Sequence, residues 1–179
     1  MKNTQLRKLT IAALLAALAV VCSTFSIPVG ASKCLPVQHF VNIVAGVFLG
    51  PGYAVGAAFV TSLIRNLLGT GSLLAFPGSM CGAFLSGMLY KLFKKLPFAY
   101  IGELFGTSVI GGMISFPVAT LIMSNEAALF TYVFPFFVSS CGGTIIAAIL
   151  VPALKKAGVE RFINGSESKE KVKDAGKNA

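Results

Sequence analysis

Apolar residues dominate six runs of this chain, and short polar or glycine- and proline-rich segments separate the runs. The runs are continuous, as in helices that face lipid, and lack the alternation of a half-exposed strand. The pattern therefore predicts six membrane-spanning helices, at approximately Leu6–Ile27, His39–Leu49, Tyr53–Leu68, Gly78–Phe93, Phe98–Met123 and Ala127–Leu154.

The composition supports a membrane protein. Hydrophobic residues make up 55% of the chain and charged residues only 12%, which leaves too few polar side chains to cover a water-soluble domain. We therefore predict an all-α integral membrane protein with one transmembrane domain over residues 1–163. Residues 164–179 are rich in Ser, Glu, Lys and Gly, and without an apolar period they are predicted to form a disordered tail.

The basic residues cluster at the ends of alternate runs. Thirteen of the 15 lie at the start of the first run, around the junction of the fourth and fifth, or after the sixth, and six spans bring these positions to one membrane face. Because cytoplasmic loops carry the excess of lysine and arginine, that face and both termini are predicted to be cytoplasmic. These flanks explain the net charge of +9, so no nucleic-acid partner is expected.

The second and third runs are short. A helix of about a dozen residues reaches only ~18 Å, whereas the hydrocarbon core is ~30 Å thick. Non-helical backbone at membrane depth is tolerated where it lines a polar cavity. The flanking segments Pro28–Gln38 and Gly69–Pro77 are therefore predicted to be irregular and to line a cavity on the outer side.

Lys33 and Arg65 are the two basic residues outside the clusters, and an unpaired charge near the membrane is costly unless it has a function. His39 and Asn42 are three positions apart, hence on one helix face, with Gln38 beside them. An imidazole and two amides offer donors and acceptors that suit a small polar heterocycle. The alternatives are that Arg65 reaches the lipid headgroups and that His39 is a satisfied structural group.

Arg65 begins a polar stretch that ends in a glycine-rich loop, with Asn66, Thr70 and Ser72 following it. We expect these residues to form the wall opposite His39. An aromatic residue such as Phe76 or Tyr132 is predicted to stack on the ligand, although aromatic residues are also common at membrane interfaces. The one acid inside a predicted span, Glu103, is expected to pair with Lys94 and Lys95 and to stay outside the site.

Several kinds of catalysis find no support in the sequence. The loop Gly69–Ser72 lacks the Gly-Lys-Ser/Thr ending of a phosphate-binding loop. A single histidine, scattered cysteines and no carboxylate cluster provide no metal site and no acid–base pair. We therefore expect neither an enzyme nor a cofactor.

Small residues recur at four-residue spacing, which lets membrane helices approach closely. Pairs such as Gly102 with Gly106 are expected to pack helices within the bundle. The first helix has two overlapping pairs, and their smooth surface is a candidate contact for a partner protein: Ala12 with Ala16, and Ala13 with Ala17.

Together these motifs resemble ThiW, a family of substrate-binding S components of energy-coupling factor vitamin transporters that is assigned to the thiazole precursor of thiamin. The resemblance covers nearly the whole chain except the tail. It rests on the alanine-rich first helix and on three segments, Ser32–Asn42, Gly46–Pro51 and Arg65–Ser79.

The resemblance implies a six-helix bundle in the bacterial cell membrane that captures hydroxyethylthiazole at the outer face. It also implies that the subunit works with a transmembrane T component and two cytoplasmic ATPases. In the family an Ala-x-x-x-Ala face of the first helix meets the T component, and either alanine pair fits that role here.

Two other functions remain open. One is an S component for a different small vitamin precursor, for example an anionic one, because Lys33 and Arg65 exceed what a neutral thiazole requires. The other is a stand-alone secondary carrier, which is disfavoured because the polar motifs cluster in the first half without a matching repeat.

Overall fold

The computed structural model describes residues 2–24, 26–29, 32–124, 126 and 128–163; the predicted tail, 164–179, lies outside them. The described chain is almost entirely helical, as the sequence predicts. Its elements in chain order are α1 (Lys2–Cys22), β1 (Ile27–Val29), β2 (Ser32–Cys34), α2 (Pro36–Phe48), α3 (Pro51–Leu67), α4 (Ala75–Phe93), α5 (Leu96–Phe105), the π-helix π1 (Gly106–Gly111), α6 (Gly112–Pro117), the π-helix π2 (Val118–Ile122) and α7 (Val133–Lys156).

Three helices in the described residues are long and apolar enough to cross a bilayer: Thr4–Cys22, Leu96–Ile122 and Val133–Lys156. The second of these is the continuous rod made by α5, π1, α6 and π2. The apolar helix α2 has only 13 residues, and α3 and α4 carry buried polar side chains such as Ser62 and Ser79. The helical membrane character is therefore confirmed, and the count of six spans stays a prediction.

The two segments predicted to be irregular have more structure than expected. Within Pro28–Gln38 the strands β1 and β2 form a short antiparallel hairpin, and α2 already begins at Pro36. A proline at the first helical position loses no hydrogen bond, which explains this early start. Within Gly69–Pro77 the loop is shorter than predicted, because α4 begins at Ala75.

The two ends of α1 define two ends of the bundle. At its start, Arg7 Nη1 donates a hydrogen bond to the Phe162 carbonyl at 3.2 Å, so the N-terminal helix and the chain after α7 meet there. Just beyond its last turn, the Ser23 and Thr70 hydroxyls lie 3.3 Å apart. These two contacts are ~24 Å apart along the helix axis. The end of the bundle at Arg7 is rich in basic residues, and the opposite end is formed by the hairpin and the loop before α4.

Helix α4 packs against α2, α3, α5 and π1, and small residues permit the close contact with α5 and π1. A Cβ atom on Gly102 would lie 2.7 Å from the Leu85 carbonyl oxygen, and one on Gly106 would lie 2.7 Å from the Cys81 carbonyl oxygen. Backbone at that distance does not yield to a side chain. The predicted packing role of this glycine pair is confirmed.

The two alanine pairs of α1 face in different directions. Ala12 and Ala16 are 6% and 3% exposed and belong to the apolar core, where α1 packs against α2 and α3. Ala13 and Ala17 are exposed. Of the two overlapping faces, the one with Ala13 and Ala17 is therefore left open on the outside of the described structure.

Candidate functional site

A cavity of about 230 Å³ lies at the end of the bundle where the Ser23 and Thr70 hydroxyls meet. Residues of β2, α2, α3, α4, π1, α7 and the loop before α4 form its wall. The lining residues are Lys33, Leu35, Gln38, His39, Arg65, Thr70, Gly71, Ser72, Leu74, Ala75, Gly78, Ser79, Thr107, Met123, Tyr132, Phe136 and Ser139.

Seven of the ten predicted binding residues line this cavity: Lys33, Gln38, His39, Arg65, Thr70, Ser72 and Tyr132. Lys33 is exposed, so it lies at the rim. Gln38, His39, Arg65 and Tyr132 are at most 6% exposed, so they form the interior of the wall. The segments around His39 and Arg65, which are distant in sequence, therefore meet at one cavity.

The local fold at the end of α3 places Arg65 on the cavity wall. Gly69 has a φ of +72°, a left-handed conformation that glycine adopts without the steric cost of a side chain. The Gly69 amide donates to the Asn66 carbonyl, and the Thr70 amide donates to the Arg65 carbonyl at 2.9 Å. This pattern ends the helix and turns the Thr70–Ser72 loop back toward the Arg65 side chain.

The Arg65 side chain is only 3% exposed, which argues against the alternative that it reaches into the headgroups. Its Nε atom is buried without a hydrogen-bond partner among the described residues. A buried guanidinium that lines a cavity is costly unless an acceptor satisfies it. The guanidinium group of Arg65 therefore keeps an unpaired donor beside the cavity.

Two of the predicted residues lie beside the cavity. The Asn66 amide donates to the carbonyls of Ser62 and Ser72 at 2.8 and 3.0 Å, which ties the loop to α3. Phe76 lies with its ring centroid 5.5 Å from that of Phe59. Neither residue is among those that line the cavity.

Asn42, the third such residue, belongs to a buried network behind the wall. Its amide nitrogen donates to Glu103 Oε1 at 2.9 Å and to the Ser79 carbonyl at 3.2 Å. His39 Nδ1 lies 2.9 Å from the same Glu103 oxygen, and the Thr107 hydroxyl donates to it at 3.1 Å. One carboxylate oxygen thus joins α2 to α5 and π1 directly beneath the cavity.

The predicted ion pair of Glu103 with Lys94 and Lys95 is wrong. Glu103 is fully buried, whereas both lysines are exposed. Glu103 lies eight positions after Lys95, which is ~12 Å along a helix and too far for a direct pair. The useful signal was the presence of a carboxylate inside an apolar span, since such a group usually has a buried partner.

The sequence did not single out several residues that complete the wall: Ser79, Thr107, Met123 and Ser139. Thr107 follows Glu103 by four positions, so their shared helix face was a readable signal. Ser139 accepts a hydrogen bond from the Leu35 amide at 2.7 Å, a contact between α7 and the start of α2 that no local pattern predicts.

Aromatic side chains cover one side of the cavity. The Tyr132 and Phe136 ring centroids are 6.3 Å apart, and both residues pack in a second apolar cluster with Leu74 and Ala119. Phe134, on the same helix, is 67% exposed and faces away. Glu126 is exposed and is not among the lining residues, so the acid nearest the cavity wall in the described structure is Glu103.

The fold is that of a helical membrane protein, and it encloses a cavity lined by polar and aromatic side chains. The family model for the thiamine-precursor transporter protein (ThiW) matches residues 9–157. The chain belongs to the ThiW family, which confirms the resemblance seen in the sequence and places it among transporter proteins. No curated protein and no solved structure matched the chain.

Proposed function

We propose that this protein is the membrane-embedded substrate-binding (S) component of an energy-coupling factor transporter and that it captures hydroxyethylthiazole from outside the cell. The observation that carries the proposal is the cavity, which combines polar groups from two segments with an aromatic side in a member of a thiamine-precursor transporter family. Binding sites of this kind are largely apolar and carry a few placed polar groups that fix orientation.

The size of the cavity favours a precursor over thiamine itself. At about 230 Å³ it falls below the ~300–1,000 Å³ that is usual for drug-sized ligands, which suits a single ring with short substituents. Tyr132 and Phe136 offer an apolar side to the ring. The polar atoms of the ligand then face Gln38, His39 and Arg65.

The charges of the wall favour a ligand without positive charge. Lys33 and Arg65 line the cavity, whereas the carboxylate of Glu103 lies behind the wall, with three polar groups around its Oε1 atom. The cationic ring of thiamine would meet like charge at Arg65, and no acid is among the described residues that line the cavity. A neutral thiazole avoids this cost.

The topology in the proposal has six spans with both termini in the cytoplasm of a bacterial cell. The contact between Arg7 and Phe162 supports it by joining the two basic ends of the chain. The cavity then opens at the outer side, and the exposed Ala13–Ala17 face of α1 serves as the contact for the T component. Two cytoplasmic ATPases supply the energy.

Titration calorimetry on the purified protein in lipid nanodiscs tests the ligand assignment. We expect saturable binding of hydroxyethylthiazole and at least ~100-fold weaker binding of thiamine, a difference of about 2.7 kcal/mol. The aminopyrimidine half of thiamine is the matched competitor. Tight binding of the aminopyrimidine without binding of the thiazole would overturn the assignment.

A second candidate ligand is an anionic precursor, such as the phosphate ester of the same thiazole. The buried Arg65 Nε atom without a partner in the described structure favours it, because guanidinium groups bind phosphate well. Under this alternative the phosphate ester binds more tightly than the alcohol, and Arg65→Gln removes that preference. An alcohol that binds more tightly than its ester excludes the second candidate.

A further inference from the structure

Glu103 is a buried carboxylate that does not line the cavity yet contacts a residue that does. Its Oε1 atom accepts hydrogen bonds from Asn42 and Thr107, and His39 Nδ1 lies 2.9 Å from the same atom. His39 in turn is part of the cavity wall. The arrangement resembles a binding residue held in place by a group behind it.

The network fixes which atoms carry protons. The Asn42 amide nitrogen also donates to the Ser79 carbonyl, a pure acceptor, so the orientation of this amide is determined. The same nitrogen donates to Glu103 Oε1, so Oε1 is an acceptor. An ionised Glu103 has no proton to donate from Oε1, so His39 Nδ1 then carries the hydrogen, because two acceptors at 2.9 Å would repel each other.

With Nδ1 bound to Glu103, the ring nitrogen that His39 has left for a ligand is Nε2. A neutral imidazole that carries its proton on Nδ1 presents Nε2 as an acceptor.

We propose, on the basis of the proposed function, that Glu103 is a positioning residue that makes His39 select a ligand with a hydroxyl group. Glu103 holds His39 in the Nδ1–H tautomer, and Nε2 accepts the hydroxyl proton of the ligand. The side chain of the ligand, rather than its ring, is then what His39 recognises. A compound that keeps the ring but lacks the hydroxyl leaves Nε2 unpaired in a buried site and binds weakly.

The tautomer can be read in the unmodified sequence, because His39 is the only histidine in the chain. The protein is labelled with [15N]histidine, purified through a histidine-free tag and studied by NMR in nanodiscs. We expect one signal pair, with Nδ1 protonated and Nε2 unprotonated, and a shift of the Nε2 signal on addition of hydroxyethylthiazole. A proton on Nε2 in the free protein would overturn the proposal.

Two variants separate the positioning role from a merely structural one. In Glu103→Gln the amide oxygen can keep the place of Oε1 and accept from the same three donors, whereas Glu103→Leu removes the acceptor. Affinity is measured for hydroxyethylthiazole and for the ethyl analogue without the hydroxyl. We expect the wild type and Glu103→Gln to prefer the hydroxyl compound by about 10-fold or more, and Glu103→Leu to lose the preference.

The outcomes of this experiment distinguish the two proposals. If the wild type binds both thiazoles equally, the role of the hydroxyl is wrong and the proposed function stands. If it binds neither, the proposed function is wrong, and the NMR signal alone decides the tautomer. If Glu103→Leu does not fold, the comparison of the wild type with Glu103→Gln still tests the proposal. Loss of the preference for the hydroxyl compound in Glu103→Gln would show that an acceptor at the Oε1 position does not position His39.

Discussion

Gly82 of α4 lies directly against Thr107 of π1, so closely that a Cβ atom on Gly82 would overlap the Thr107 hydroxyl and lie 2.8 Å from Glu103 Oε1. The network under the cavity therefore depends on the absence of a side chain at position 82. Because Glu103 contacts His39, the packing of α4 against π1 affects the position of the His39 side chain.

Substitution of Gly82 by alanine should damage the network. The extra methyl group forces Thr107 or Glu103 to move, and overpacking of this kind costs about 1–3 kcal/mol. We expect a lower thermal midpoint and weaker ligand binding. Gly56→Ala is the matched control, since nothing lies within 4 Å of a Cβ atom there and alanine favours a helix. Equal effects of the two variants would contradict this interpretation.

Substitution of Arg65 by glutamine should weaken binding while the fold is kept. A hydrogen bond to a charged group is worth about 1.5–3 kcal/mol, so we expect a loss of affinity of roughly 10- to 150-fold. Arg161→Gln serves as the control because Arg161 is exposed near the other end of the bundle. Calorimetry with the same ligand compares the two variants, and an unchanged affinity in Arg65→Gln would remove Arg65 from the site.

Ser139 should matter more for stability than its neighbour Ser140. The Ser139 hydroxyl accepts from the Leu35 amide, so Ser139→Ala leaves a partly buried donor unpaired, at a cost of about 1 kcal/mol. The Ser140 hydroxyl donates only to the Phe137 carbonyl of its own helix, at 3.1 Å, so Ser140→Ala should be milder. Thermal unfolding of both variants in detergent tests this, and a larger loss in Ser140→Ala would contradict it.

The two alanine faces of α1 should respond differently to a larger side chain. Ala16 is buried in the core, so Ala16→Leu overpacks it and destabilises the protein by about 1–3 kcal/mol. Ala17 is exposed, so Ala17→Leu should leave stability and ligand binding intact. On the proposed function it lowers co-purification with the T component, and normal assembly and transport in Ala17→Leu would exclude this face as the contact.

The sequence predicted the helical class and both polar segments of the cavity, because each signal is local. A charge outside the basic clusters marked Arg65, and a shared helix face marked His39 together with Asn42. The position of Glu103 could not be predicted in the same way, because its partners on α2 are about 60 residues away. Local spacing favoured a nearby lysine, and the tertiary packing of α2 against α5 decided otherwise.

The dependence on tertiary structure also explains why two of the predicted residues lie beside the cavity and do not line it. Asn66 and Phe76 stand in the right segment, but the turn at Gly69 directs the loop so that Asn66 binds backbone carbonyls and Phe76 meets Phe59. Side-chain direction after a helix end depends on the conformation of the turn. The sequence thus identifies the polar segments and most of the residues that face the cavity, whereas the direction of the side chains near the turn depends on the tertiary structure.

The most direct test of the central claim is the identity of the molecule that the protein carries. Native mass spectrometry of protein purified in mild detergent, from cells supplied with hydroxyethylthiazole, reads the mass of the bound compound. We predict a one-to-one complex with the thiazole in the wild type and little or none in Gly82→Ala. A wild-type protein that carries thiamine or the aminopyrimidine instead would contradict the account.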